Sequence, residues 1–192
     1  MPEAENVKEL LEEVKNMSEL MLNLAYSSVF FESKEIAKEV VILYNDMEDV
    51  EERLYLHLFA ASRGRQAKRL ISIIDIVESS KFVANAARKM AELVLAGEAL
   101  HPVIKEALMN TDEGIAKADI SPASVFVGKS LGQLKLRTRT GANVIAVKRG
   151  SKWIISPRKE NLLEAGDVII AAGSRESCKY IRKIAKADIK KF

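Results

Sequence analysis

Cysteine occurs once in these 192 residues, at Cys178, and histidine twice, at His57 and His101. A single thiol excludes an intramolecular disulfide and any zinc site built from several cysteines. Neither histidine has a second His or Cys at ligand spacing, so both read as packing or capping residues. No nucleophile, base and orienting group can be assembled, and the chain is expected not to be an enzyme. Long apolar runs are missing as well. The longest uncharged stretch, Leu20 to Phe31, is interrupted by Asn23, Ser27 and Ser28, whereas a membrane span needs roughly 20 apolar residues. The N-terminus is acidic (Glu3, Glu5, Glu9) and does not resemble a signal peptide. A cytoplasmic location is expected, peripheral to a membrane only through a partner. Aromatics are sparse too. Phe126 and Trp153 are the two between positions 120 and 170, which argues against stacking on single-stranded nucleic acid.

Charge is present in quantity and unevenly placed. Residues 1–110 carry 13 Lys+Arg and 19 Asp+Glu, a net of 13 − 19 = −6, and residues 111–192 carry 17 and 8, a net of 17 − 8 = +9. Halves of opposite sign imply two domains with different partners. The basic half suits an anionic ligand.

Helical spacing fills the first half. Val7, Leu10, Val14, Met17, Met21 and Leu24 advance in steps of three and four. So do Ile36, Val40, Leu43, Met47, Val50, Leu54, His57 and Ala61, and then Leu70, Ile73, Val77, Ser80, Ala84, Ala87, Ala91 and Val94. Three such seams predict an all-α antiparallel bundle over 1–110. Ser33 is placed to cap the second helix, Gly64 to separate the second from the third, Gly97 to end the third, and Pro102 to open a short fourth.

Residues 111–119 lose the helical seam and read as a linker. From 120 to 192 the apolar period changes. Strands are expected at 124–127, 143–148, 152–156 and 167–172, with Gly150-Ser151 as a hairpin turn. Ser130 with Gln133 forms a capping-box pattern, and Ser174 can cap a final helix. The resulting order is β-α-β-β-β-α, an α+β domain.

Several groups invite chemistry. Gly128-Lys129-Ser130 resembles the end of a phosphate-binding loop, but the full signature needs glycine where Ala123 stands. Asp46, Glu48, Asp49, Glu51 and Glu52 crowd one stretch of the second helix, and carboxylates at this spacing could hold a hard cation or form a solvated acidic face. The seam register sets Asp46 and Glu51 beside the buried stripe and turns Glu48, Asp49 and Glu52 outward. Arg137, Arg139, Lys148, Arg149, Lys152, Arg158 and Lys159 cluster around the central strands, where arginine suits phosphate recognition.

The stretch Ser124-Val-Phe-Val-Gly-Lys-Ser-Leu131, with Arg137, Gly141-Ala-Asn-Val-Ile-Ala-Val-Lys-Arg-Gly150, Ile155-Ser-Pro157 and Gly166-Asp-Val-Ile-Ile170, resembles the TrkA-C domain, the C-terminal regulatory module of RCK-type potassium channel and transporter subunits. The helical half resembles a PhoU-type three-helix unit. That second resemblance implies acidic metal ligands on two helices. Asp46 and Asp49 match them on one, whereas Ser80 and Lys81 stand on the other where an acid is expected, so divalent metal is not expected. The TrkA-C resemblance implies a homodimer that binds a small anionic ligand at its interface, cyclic di-AMP or another nucleotide. Leu131, Arg137, Asn143, Val144 and Pro157 would line that site. The nucleotide-binding half of full RCK subunits is not implied, because no Gly-x-Gly-x-x-Gly occurs.

Together these readings predict a non-enzymatic, ligand-sensing regulatory subunit for cation transport, with potassium as the cation and a membrane channel or transporter as the partner. The alternatives are a nucleic-acid-binding regulator that uses the basic half and a metal- or phosphate-responsive signalling protein that uses the acidic helix.

Overall fold

In the computed structural model, residues 6–61, 67–97, 101–109 and 113–189 are described. Their contacts divide the chain into two compact units, residues 1–100 and 101–192.

The first unit is three long helices: α1 (Val7–Phe31), α2 (Lys34–Ala61) and α3 (Ala67–Ala96). Asn6 opens α1 with a capping box. Its side chain accepts from the Glu9 N–H at 3.0 Å while the Glu9 carboxylate accepts from the Asn6 N–H, which satisfies two otherwise orphaned donors. Ser33 accepts from the Ile36 N–H at 3.4 Å, the capping role expected for it. Each helix packs on the other two. Leu10, Val14, Met21 and Leu24 meet Ile36, Val40, Met47 and Leu54, and Val77, Ala84, Ala87, Ala91 and Val94 complete the core. The two serines buried in α1 return their hydroxyls to their own helix, Ser27 to the Asn23 carbonyl and Ser28 to the Ala25 carbonyl, each at 2.7 Å. They therefore enter the core without an unpaired donor.

Two expectations for α2 need correction. His57 is exposed, and the buried position one residue on is Leu58. The seam was extrapolated in heptads, and a helix of 3.6 residues per turn drifts away from a strict seven-residue repeat. Glu51 lies inside the stripe at 4% exposure rather than beside it, and Asp46 faces solvent. Gly64 lies outside the described residues.

Gly97 ends α3 with φ +75°, and Pro102 opens α4 (Pro102–Met109). Contacts group α4 with the second unit rather than with the bundle expected over 1–110. The segment expected as a linker over 111–119 is, from Glu113, strand β1 (Glu113–Asp119). The expected strand 124–127 is a run of turns. There Ser124 takes over the backbone's bonding. Its hydroxyl accepts from the Phe126 N–H at 3.2 Å and donates to the Ile184 carbonyl at 2.8 Å, a local alternative to a ladder. The remaining elements are α5 (Leu131–Leu134), α6 (Leu136–Thr140), β2 (Asn143–Arg149), β3 (Lys152–Ile155), β4 (Val168–Ser174) and α7 (Arg175–Ala185).

The sheet has the order β1-β4-β2-β3 and every pair is antiparallel. A register shift between Val144 and Ala146 bulges β2 against β4, and bulges add local twist. Helix α7 covers β1 and β4. Phe126, Leu134, Leu163, Ile169, Ile181 and Ile184 fill the space between. Ser177 ties α7 to the turn before β2 by donating its hydroxyl to the Thr140 carbonyl.

Asp167 is a buried carboxylate of this unit. Only 1% exposed, it accepts from Arg149 Nε at 2.9 Å, from Arg149 Nη2 at 2.8 Å and from the Glu164 N–H at 2.8 Å. Asp167→Ala strands the Arg149 guanidinium at the end of β2. The expected cost is about 3 kcal/mol, discounted because Arg149 keeps some solvent, and denaturant unfolding measures it. Gly173→Ala sets a methyl 2.9 Å from Ala142 Cα and is expected to cost about 1–3 kcal/mol by the same measurement.

Candidate functional site

The five residues proposed for ligand contact fall at one end of the second unit, on three segments fastened to one another. Leu131 opens α5, where the Leu131 N–H donates to the Asn161 carbonyl at 3.0 Å and the Gly132 N–H to the Lys159 carbonyl at 2.8 Å. Helix α5 begins there because Ser130 and Gln133 form the expected capping box, at 3.2 and 2.9 Å. Lys135, in the left-handed region, then turns the chain into α6, which carries Arg137. Gly141, at φ +76°, ends α6 with its N–H on the Arg137 carbonyl and feeds the chain into β2 at Asn143 and Val144. A side chain at that φ would be strained.

Pro157 reaches the same end through β3. The register Ala146↔Ile155 continues in the Ser156 N–H donating to the Ile145 carbonyl at 3.0 Å. Pro157 thus leaves the sheet beside the start of β2, and the chain goes on to Lys159 and Asn161, the residues fastened to α5. Leu131 and Pro157 are half-buried, Val144 is buried, and Arg137 and Asn143 are exposed.

The basic cluster separates into two kinds of residue. Arg149 is spent on the fold. Besides Asp167, it donates to Glu164 at 2.6 Å and to the Leu162 carbonyl at 2.8 Å, and the Asp167 carboxylate raises its already high pKa. Lys148 lies 5.8 Å from the centre of the Trp153 ring, within cation–π range. The Arg137 guanidinium and the Asn143 amide make no side-chain hydrogen bond among the described residues. What this end offers among the described residues is an exposed guanidinium with five donors, an exposed amide, and half-buried Leu131 and Pro157, whereas Val144, expected to line the site, is 7% exposed and packs into the core with Phe126 and Ile181, on the opposite face of β2 from Asn143. That combination suits a phosphate joined to a flat apolar group.

Sequence reasoning missed the Arg149–Asp167 pair. Its signal was Asp167 following a turn glycine, but nothing in the spacing marked a partner 18 positions back.

Other expected groups are placed differently. Asp46 and Asp49 are both exposed on α2, and among the described residues no three His, Cys, Asp or Glu side chains gather as a metal site. His101 Nδ1 accepts from the Val103 N–H at 3.3 Å at the start of α4. Cys178 is 3% exposed, and burial pushes its thiol up from the ordinary value. No helix among the described residues is long and apolar enough to cross a membrane.

The model of the TrkA-C domain matches this chain over positions 115–186. Residues 115–186 are a TrkA-C domain. The match runs from the second residue after the start of β1 to the end of α7 and covers the whole proposed ligand end. The helical unit lies outside it. Over 81 residues the chain is 35% identical to "Probable potassium channel protein 2" of Methanocaldococcus jannaschii, which is 42% of this chain and 24% of that protein. The chain thus spans about a quarter of that relative's length. Among solved structures, the RCK_C domain dimer of Streptococcus agalactiae BusR in complex with c-di-AMP is 32% identical (35% of this chain, 87% of that one, TM-score 0.32). The RCK C domain of the potassium transport protein KtrA, also in complex with cyclic diadenosine monophosphate, is 30% identical (42% of this chain, 93% of that one, TM-score 0.35). In these two pairs the likeness is one of sequence.

Burial of the TrkA-C thiol has a measurable consequence. With its pKa raised, Cys178 holds less thiolate at any pH below that value than an exposed thiol does, and thiolate is the reacting form. Alkylation of native protein at pH 8 is expected to be at least about tenfold slower than of urea-unfolded protein. Equal rates in the two states would mean that the thiol is open to solvent.

Proposed function

We propose that this chain is a non-enzymatic regulatory subunit of potassium transport. Its TrkA-C domain pairs with a second copy and captures a small anionic ligand, with cyclic di-AMP the first to test. The TrkA-C match and the potassium-channel relative support the transport setting. The observation that supports the ligand reading is the exposed Arg137 guanidinium and Asn143 amide on segments whose neighbours carry half-buried Leu131 and Pro157. Arg137 would clamp a phosphate, Asn143 would hydrogen-bond a base or ribose edge, and Leu131 and Pro157 would pack the base. Both RCK_C domains described above were solved with cyclic di-AMP, which makes it the natural first probe. The helical unit would act as the transmitting PhoU-type part. The protein would work in the cytoplasm against a membrane channel or transporter. Regulation follows only if the ligand binds two states of the assembly with different affinity.

Denaturant unfolding of metal-stripped protein, with and without cyclic di-AMP, tests this. A ligand that binds the folded state alone adds about 2.7 kcal/mol at 100 times its dissociation constant. Arg137→Ala is expected to remove that shift and to leave ligand-free stability within about 0.5 kcal/mol, because the side chain is exposed and bonded to nothing that the fold needs. A shift that survives Arg137→Ala places the ligand elsewhere. The absence of any shift with cyclic di-AMP, ATP or NAD sinks the nucleotide reading.

A further inference from the structure

Helix α3 carries a second apolar stripe besides the one buried in the bundle. Its buried side is Val77, Ala84, Ala87, Ala91 and Val94. Beside them Ile76, Ser79, Val83, Ala86, Met90 and Leu93 advance in alternating steps of three and four. Met90 is half-buried and the other five are exposed. Ile76 is 52% exposed, Leu93 50%, and Phe82, one position before Val83, 73%. Ser79 donates its hydroxyl to the Asp75 carbonyl at 2.7 Å, so it brings no unpaired donor to the stripe.

We propose that this stripe packs against the same stripe of a second copy, the two α3 helices running antiparallel. The repeat has two inward positions, one filled by Ile76, Val83 and Met90, the other by Ser79 and Ala86. Helices running opposite ways set one position against the other. Ile76 then meets the partner's Ala86, and Val83 meets the partner's Ser79. Each layer pairs a large side chain with a small one, which fills the space and lets the backbones approach. A straight helix drifts about 20° per heptad from such a repeat, so either end of the stripe departs by only about 30° from its centre.

Charge fixes both the direction and the occupant. Asp75 and Lys89 are exposed, and each stands seven positions from Phe82 along one edge of the stripe. A two-fold axis at Phe82 sets Asp75 against the partner's Lys89 and Lys89 against the partner's Asp75, the self-complementarity that such an axis demands. It also brings Phe82 beside the partner's Phe82, an aromatic pair. Parallel helices would set Ser79 against the partner's Ser79 and give Asp75 and Lys89 no opposite charge. Positions 70–96 carry 3 Lys+Arg and 3 Asp+Glu, a net of 3 − 3 = 0, whereas residues 1–100 carry 12 and 18, a net of 12 − 18 = −6. The acids thus lie mainly off α3, and a second copy meets this helix without the cost of like charges. A lipid surface fits less well, because a helix lying on lipid has Lys and Arg on its polar flank, and the exposed flank here includes Asp75, Glu78 and Glu92. This pairing goes beyond the ligand reading, since it lies in the helical unit and needs no nucleotide.

Full-length Phe82→Cys treated with a short bis-maleimide reads the axis directly, because the two new thiols face each other across it. A covalent dimer on a denaturing gel is expected to form at least about tenfold faster than from Glu52→Cys, an exposed position of α2. The unsubstituted chain, whose one thiol is buried, sets the background. Adding Asp75→Lys to Phe82→Cys sets like charges together and should slow the crosslink about tenfold, and adding Lys89→Asp as well should restore it. Positions 52, 75, 82 and 89 are exposed, so each variant is expected to keep the native circular dichroism melt, which separates lost pairing from lost fold. Crosslinking of Phe82→Cys no faster than of Glu52→Cys overturns the proposal and gives the stripe to a different protein. So does a crosslink that Asp75→Lys leaves unchanged, or one that Lys89→Asp fails to restore. No ligand is added, so failure of the nucleotide reading would leave these results as they are.

Discussion

The TrkA-C domain depends on where the Asp167 carboxylate is held. It stands at the entrance to β4 and takes the guanidinium from the last residue of β2. Its own backbone closes the other side. The Ile120 N–H donates to the Asp167 carbonyl and the Gly166 N–H to the Ile120 carbonyl, both at 2.8 Å, which locks the end of β1 to the start of β4. One residue thus joins three of the four strands. The charge is buried, but it is met by two guanidinium nitrogens and a backbone N–H, the condition under which a buried carboxylate is tolerated.

The proposed ligand end inherits its geometry from that knot. Arg149 also holds the Leu162 carbonyl, and Leu163 exchanges backbone bonds with Gly128 and Lys129. Residues 157–163 therefore have one anchor on β2 and a second on the turn before α5. Pro157 and Leu131 are positioned by this strap. The division of labour between arginines follows as well. Arg149 is consumed in fixing the frame, whereas Arg137, on a short helix whose ends are set by Lys135 and Gly141, stays exposed.

Much of this was legible in the sequence, and the failures have physical causes. The capping boxes at Asn6 and Ser130 and the caps at Ser33 and Ser174 rest on local chemistry that sequence spacing specifies. Ser33, Ser130 and Ser174 were read from that spacing, and the box at Asn6 was not. Strand β1 was hidden because its inward residues are Ala116 and Ala118. They alternate with Lys117 and Asp119 as a strand should, but alanine carries little strand preference. Val125-Phe126-Val127 shows the reverse error. Its residues favour a strand, yet Ser124 bonds the local backbone and fixes turns. The N-terminal seams held where repeats were short and slipped by one position at Leu58, the distance at which heptad counting and a 3.6-residue turn diverge. The ligand-end residues came from family resemblance. Their grouping needed the backbone bonds from Leu131 and Gly132 to Asn161 and Lys159, which no spacing reveals.

The polar groups of both units sort by whether the fold uses them. Ser27, Ser28, Ser124, Ser177, Arg149 and Asp167 are buried or half-buried, and each is paired within the chain. Among the described residues the exposed Arg137 and Asn143 and the buried Glu51 Oε1 and Arg88 Nε are left over, and their costs differ. An exposed guanidinium or amide is hydrated in the free protein, so binding there must beat water. A buried carboxylate oxygen has no water to lose, so a donor that reaches it relieves a penalty already present in the free state. On that reasoning a ligand at the proposed TrkA-C site would be selected by the number and geometry of its contacts.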